Sequence, residues 1–206
     1  MAPRDGRCKV NMKDISLIGF MGCGKSSVGK ILATLLPECR LIDLDTYIEE
    51  KQGKNIPEIF NEYGEAAFRR MEREALEEIF SDKSRPRAIL SLGGGTVTSE
   101  QCRQLIRQHT DCFYLRATTD TLLDNLEGHS DGRPMLNPVQ PAEASPTETS
   151  SEREALRRRI ESLMQTRSPQ YIATAHHIID INGQTFAQIA EIIKEAVETN
   201  TLNIKR

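Results

Sequence analysis

Gly19-Phe20-Met21-Gly22-Cys23-Gly24-Lys25-Ser26 stands between an apolar run, Ile15 to Ile18, and a helical spacing of apolar residues at Val28, Ile31, Leu32 and Leu35. The stretch matches G-x-x-x-x-G-K-[ST], and a strand before it with a helix after it is the context in which that pattern cradles a phosphate chain. Glycines let successive backbone N–H groups converge on an anion, and the helix opening near Lys25 adds the positive end of its dipole. A nucleoside triphosphate is therefore expected against Gly22, Cys23, Gly24 and Ser27, with Cys23 contributing only its backbone. Lys25 is expected to reach the β- and γ-phosphates and the Ser26 hydroxyl to hold Mg²⁺, an ion that takes few protein ligands and keeps its waters.

Outward from this loop, short apolar runs, turn residues and helical spacings alternate along the chain. Five strands are predicted at Ile15 to Gly19, Arg40 to Leu44, Arg87 to Leu92, Asp111 to Leu115 and His177 to Ile181, each too short and too apolar for an amphipathic helix. Between them helices are predicted. Phe186, Ile189, Ala190, Ile193 and Val197 line one face of the last, with Thr185 and Gln188 as its capping box. Another runs from Gly64 to Ser81 with Phe68, Met71, Ala75, Leu76 and Ile79 as its buried stripe, leaving Arg69, Glu72 and Arg73 beside or opposite it. Parallel strands joined by helices cross over right-handedly, so a doubly wound α/β sheet with helices on both faces is expected, its ligands at the strands' carboxyl ends.

Composition narrows the function. A chain of 206 residues, 38% of them hydrophobic, suits one well-buried core, so a single domain is expected over residues 1–206. The 27 basic and 30 acidic side chains leave a formal charge of -3, without the basic footprint of a nucleic-acid binder, and no nucleic-acid partner is expected. Cys8, Cys23, Cys39, Cys102 and Cys112 fall at irregular spacings that suggest neither a disulfide frame nor a zinc site, as in a reducing cytoplasmic setting. No apolar run approaches the roughly 20 residues of a bilayer span, and Met1 to Asp14 is polar where a signal peptide would be apolar, so a cytoplasmic protein with a loose tail over residues 1–13 is expected. Asn137 to Ser151, with three prolines and no aromatic residue, is expected to be disordered. Glu152 to Arg159 opens a charged helix whose three consecutive arginines read as a solvated face.

A phosphate loop alone does not separate kinases, GTPases and motor ATPases. The acceptor half is sought in three further features. Asp43 and Asp45 flank Leu44 at the end of the second predicted strand, where residues i and i+2 share a side and both acids can enter one cleft. One can hold the water shell of Mg²⁺ while the other takes a hydroxyl proton; two solvated acids capping a helix over Thr46 to Gln52 are the alternative. Gly93, Gly94 and Gly95 follow the third strand and let a ligand meet backbone N–H groups directly. Arg69, Arg133 and Arg167 carry guanidinium forks suited to carboxylates and phosphates.

In this order and at these distances, GFMGCGKS, DLD, FRRME, SLGGG, RPML and RSPQY closely resemble the shikimate kinase family, over roughly Asp14 to Glu198. The resemblance implies a three-layer P-loop fold of the nucleoside-monophosphate-kinase type, with a five-stranded parallel sheet of order 2-3-1-4-5 and a mobile lid over about 127–166. It implies Mg²⁺-dependent transfer of the ATP γ-phosphate to the 3-hydroxyl of shikimate, a step towards chorismate and the aromatic amino acids. Position by position, it makes Ser26 the direct Mg²⁺ ligand and Asp43 its water-mediated partner. Asp45 would hold the shikimate hydroxyls and act as base, Arg69 and Arg167 would clamp the substrate carboxylate, and Gly93, Gly94 and Gly95 would close round the ring. Arg133, on the lid, would approach the ATP phosphates, and Gln184 would lie beside adenine. A loose phosphoryl-transfer transition state asks chiefly for alignment and charge neutralisation, which places Lys25, Mg²⁺ and Arg133 above the basicity of Asp45. A monomer is expected.

Two departures from the family pattern carry expectations of their own. The family often has an arginine just before the lid that packs on adenine; Thr121 to Gly128 has none, so a modest ATP affinity is expected. Asn137 to Ser151 lengthens the lid, so slower or differently gated closure is expected. Deleting Pro138 to Ser150 should leave soluble, folded protein with altered kinetics, as circular dichroism and turnover measurements would check. The competing readings are a kinase for another small hydroxylated acid such as gluconate, and a catalytically silent nucleotide-binding regulator. A silent regulator would be expected to lose a carboxylate or Lys25, and all are present.

Overall fold

The computed structural model describes residues 13–126 and 149–204. Its five strands are β1 (Asp14–Ile18), β2 (Cys39–Asp43), β3 (Arg87–Ser91), β4 (Thr110–Arg116) and β5 (His177–Asp180). They pair in parallel in the order β2-β3-β1-β4-β5, with β1 at the centre in register with Ile89 of β3 and Asp111 of β4 through Ile15. The strand order agrees with the expectation, and each predicted strand lies within a residue or so of an observed one.

Side-chain alternation explains why the sheet is covered on both faces. Ile15, Leu17, Ile89, Phe113 and Leu115 point into one core with Val28 and Leu32 of α1 (Lys25–Leu35). Ile189, Ala190 and Ile193 of the last helix (Phe186–Ile204) join them from beside α1. The interleaved Ala88, Leu90, Cys112 and Tyr114 point the other way, against Phe68, Ala75 and Leu76. A strand buried on both sides must be apolar almost throughout, and the runs that looked too apolar for amphipathic helices are of that kind.

Three elements differ from the expectation. Asp43 closes β2 as the N-cap of α2 (Leu44–Gln52), so Asp45 stands in the first turn of a helix and not in an extended strand. The helix expected from Gly64 begins instead at Ile56 and runs to Ser81 as α3, with a break at Gly64, where φ is 75° and ψ is 170°. Asn55 caps it: its side chain accepts from the Glu58 N–H at 2.9 Å, the Glu58 carboxylate accepts from the Asn55 N–H at 2.8 Å, and Pro57 sits in the first turn. Thr149 to Ser151, expected at the end of a disordered insertion, open a long helix, Thr149–Thr174. Residues 1–12 and 127–148 lie outside the described residues, and with them all of the expected lid before Thr149. With α4 (Glu100–His109) and α5 (Thr119–Leu126) in chain order, the helix from Thr149 is α6 and the one from Phe186 is α7. Among the described residues, no helix is long and apolar enough to cross a membrane.

Candidate active site

Because all five strands run the same way, the loops after β1, β2 and β3 emerge side by side, and one cleft gathers most of the predicted residues. It is lined by Gly22, Gly24, Lys25, Ser26, Ser27, Asp43, Asp45, Gly93 and Gly94, with Ser91. Lys25 is 9% exposed and turned back over its own loop, its ammonium donating to the carbonyls of Gly19 and Phe20 at 3.0 Å each. Cys23 is fully buried beneath the loop, and its N–H donates to the Phe20 carbonyl at 3.2 Å, which closes the turn. It braces the loop from below and does not line the cleft.

The Ser26 hydroxyl donates to Asp43 Oδ2 at 2.7 Å and lies 3.2 Å from the Ser91 hydroxyl. Two hydroxyls and a carboxylate oxygen at the mouth of a phosphate loop make a hard-oxygen donor set, which fits Mg²⁺. Asp43 also caps α2, accepting from the Thr46 N–H at 3.4 Å, so the capping reading holds for Asp43 alongside the cleft reading. Asp45 reaches the same cleft from the helix turn. Its Oδ1 is buried without a hydrogen-bond partner. Burial first, then the carboxylates of Glu72 and Asp43, push its pKa up from 3.8 to about 7, against the pull of Lys25.

Glu72, read from the sequence as lying beside or opposite the buried stripe, is 0% exposed. It accepts from Arg69 Nη1 at 2.7 Å, and its other oxygen accepts the Thr96 hydroxyl. Arg69 is held on its far side by Glu65 at 2.9 Å. Burial works against the guanidinium charge, but the two carboxylates outweigh it and raise the pKa of Arg69. The glycines after β3 admit this packing. A Cβ on Gly95 would stand 2.3 Å from Arg69 Nη2, and one on Gly93 2.9 Å from Asp45 Oδ1 and 3.1 Å from Glu72 Oε1. The spacing FRRME carries the i, i+3 pair that could have revealed the role of Glu72.

Arg167 comes from α6 and is 3% exposed, its guanidinium carbon 5.9 Å from the centre of the Phe20 ring. Burial lowers its pKa. One turn on, Tyr171 donates to the Gly94 carbonyl at 2.5 Å and stacks on Tyr114 of β4 with ring centres 5.0 Å apart. Burial holds that phenol far above its ordinary pKa, so it stays a donor. Tyr171 was missed from the sequence, although it lies four residues after Arg167 and so shares its helix face. Arg69 Nε and Arg167 Nη1 are both buried with no hydrogen-bond partner among the described residues. Gln184 stands apart, in the loop after β5, donating through Nε2 to the Asp180 carbonyl at 2.6 Å. Arg133 lies outside the described residues. Cys39, Cys102 and Cys112 are buried and free, their thiol pKa values raised by burial, to about 12 for Cys112, so none is an activated nucleophile.

The strand order, with the Gly19 to Ser26 loop on the central strand, defines a P-loop protein of the nucleoside-monophosphate-kinase fold type. The family model described as shikimate kinase matches residues 21–198. The chain belongs to the shikimate kinase family. It is 39% identical over 181 residues to the shikimate kinase of Chlorobaculum tepidum, covering 88% of each chain. To a shikimate kinase of Thermus thermophilus it is 35% identical over 184 residues, covering 89% of this chain and 88% of the relative. The solved shikimate kinase from Acinetobacter baumannii in complex with shikimate superposes with a TM-score of 0.78 at 30% identity, covering 93% and 96% of the two chains.

Proposed function

We propose that this chain transfers the ATP γ-phosphate to the 3-hydroxyl of shikimate. One observation supports the acceptor most directly: Asp45 Oδ1 in the cleft and, around the adjoining Gly93 to Gly95 turn, Arg69 Nε and Arg167 Nη1 are each buried without a hydrogen-bond partner among the described residues. Buried polar groups are costly unless satisfied, and a ligand bearing both a hydroxyl and a carboxylate would satisfy all three. In this reading Arg69 and Arg167 clamp the substrate carboxylate, Gly93 to Gly95 bring backbone against its ring, and Asp45 orients the hydroxyl and takes its proton. Gly22, Gly24, Lys25, Ser26 and Ser27 hold the triphosphate, with Lys25 swinging from the carbonyls of Gly19 and Phe20 onto phosphate oxygens. Ser26 and Asp43 would hold Mg²⁺, which when bound neutralises charge on the β- and γ-phosphates.

Arg167→Ala should raise the KM for shikimate by about 30-fold or more while leaving that for ATP within about twofold, as a charge-assisted bidentate contact is worth roughly 2 kcal/mol or more. The measurement is steady-state ADP release with each substrate varied in turn. Unchanged shikimate dependence in both Arg167→Ala and Arg69→Ala would contradict the assignment of these arginines to the substrate carboxylate.

A further inference from the structure

Arg69 is held by two carboxylates of very different standing. Its Nη1 donates to Glu72 at 2.7 Å, and the Glu72 side chain is 0% exposed and fixed from its other oxygen by the Thr96 hydroxyl. Its Nη2 donates to Glu65 at 2.9 Å, and there the Glu65 side chain is 50% exposed against 15% for Arg69. The remaining nitrogen, Nε, is buried without a hydrogen-bond partner among the described residues. Gly95 lies flat against the group, so closely that a Cβ there would stand 2.6 Å from the guanidinium carbon, which leaves the edges and not that face to a ligand.

A guanidinium grips a carboxylate best through two neighbouring N–H groups at once. Nη1 and Nη2 make one such edge, and Nη2 and Nε make the other. With Nη1 committed to a buried acid, the Nη2–Nε edge is the one left for an incoming carboxylate, and Glu65 occupies one of its two prongs. The backbone explains how Glu65 comes to be there. α3 breaks at Gly64, and Glu65 is the first residue of the segment that runs on to Ser81, one turn before Arg69. An acid four residues before a base is the favourable order on a helix, yet an exposed pair of this kind shifts a local equilibrium by only about twofold. Glu65 can leave at small cost, whereas Glu72 cannot.

We infer that Glu65 is a placeholder for the acceptor carboxylate, a specificity-determining residue that holds Nη2 until the acceptor displaces it into solvent; the role rests on the acceptor reading above. It keeps Arg69 neutralised until an acid arrives that fills Nη2 and Nε together. An acceptor bearing hydroxyls alone has no charge with which to replace Glu65, so the pair makes the carboxylate a condition of binding.

Calorimetric titration of the full chain with shikimate, with steady-state kinetics beside it, reads this role through its sign. Glu65→Ala should bind shikimate about threefold or more tightly and lower its KM in step, with kcat and the KM for ATP within about twofold. Glu62→Ala removes an acid from the same helix that pairs with Lys54 and not with Arg69, and should leave shikimate binding unchanged. Weaker binding in Glu65→Ala would make Glu65 a support for Arg69, and unchanged binding would make it a surface ion pair; either result overturns the assignment. So would equal tightening in Glu62→Ala, which would show a general gain of positive charge. If the unaltered chain bound ADP but neither bound nor turned over shikimate, the acceptor reading would fall first and this role with it.

Discussion

Asp45→Asn is expected to lower shikimate-dependent ADP release by about 10²- to 10⁴-fold, the usual contribution of a positioned acid–base group, while ADP still binds. The same change should make the free protein more stable at high pH. A carboxyl with a folded pKa of about 7 against an ordinary 3.8 holds its proton more tightly folded than unfolded. It therefore costs no stability below the ordinary value, and a growing amount as pH rises through that window to about 7. The upper bound is about 4 kcal/mol at 1.36 kcal/mol per unit, and water at the mouth of the cleft reduces it to on the order of 1–2 kcal/mol. For a chain of this length that is a gain of roughly 2–6 °C in Tm at pH 8, vanishing near pH 4. Thermal melts of both proteins across this range check the sign. Activity should run the other way, with kcat/KM falling as pH drops through about 7, and cations bound beside Asp45 moving that limb lower. A variant with unchanged turnover would remove Asp45 from the mechanism.

Glu72→Ala should be the most destabilising single change in the site. It would strip a fully buried carboxylate from between Arg69 and the Thr96 hydroxyl, leaving a guanidinium that is itself largely buried without its main counter-charge. Breaking a buried pair from one side costs about 3–5 kcal/mol, or roughly 10 °C in Tm. Glu72→Gln keeps an acceptor for Thr96 and should fold more readily. If Glu72 sets the position of Arg69, Glu72→Gln should still raise the KM for shikimate several-fold with the KM for ATP unchanged. Thermal melts and substrate-resolved kinetics separate the two effects. A stable Glu72→Gln variant with unaltered shikimate KM would reduce Glu72 to a structural role.

These residues also mark where the sequence was legible. The sheet could be read because each strand is buried on both faces and its apolar run has no helical period. The phosphate loop could be read because its glycines, lysine and serine are chemically constrained at fixed spacing. Glu72 was misplaced because a charged residue in an amphipathic helix is ordinarily solvated, and its burial is decided by Thr96 and the Gly93 to Gly95 turn, which arrive from another element. Asp45 reached the cleft by a different route from the one its spacing suggested. Asp43 ends the strand by capping α2, so the first helical turn, and not strand alternation, turns Asp45 inward. The early start of α3 was present in Asn55-Ile56-Pro57-Glu58, but Gly64, which breaks the helix, obscured it. Phe186 was the least legible: the sequence sets it on the apolar face of the last helix, yet it is 39% exposed, and nothing in the order of residues brings its ring against Gly24, more than a hundred positions earlier.

The central claim is that the acceptor is shikimate. Coupled measurement of ADP release from Mg²⁺-ATP, with shikimate, with gluconate and with neither, tests it most directly. Saturable release that depends on shikimate and stays near background in the other two is the predicted result, and release that is indifferent to shikimate would contradict it.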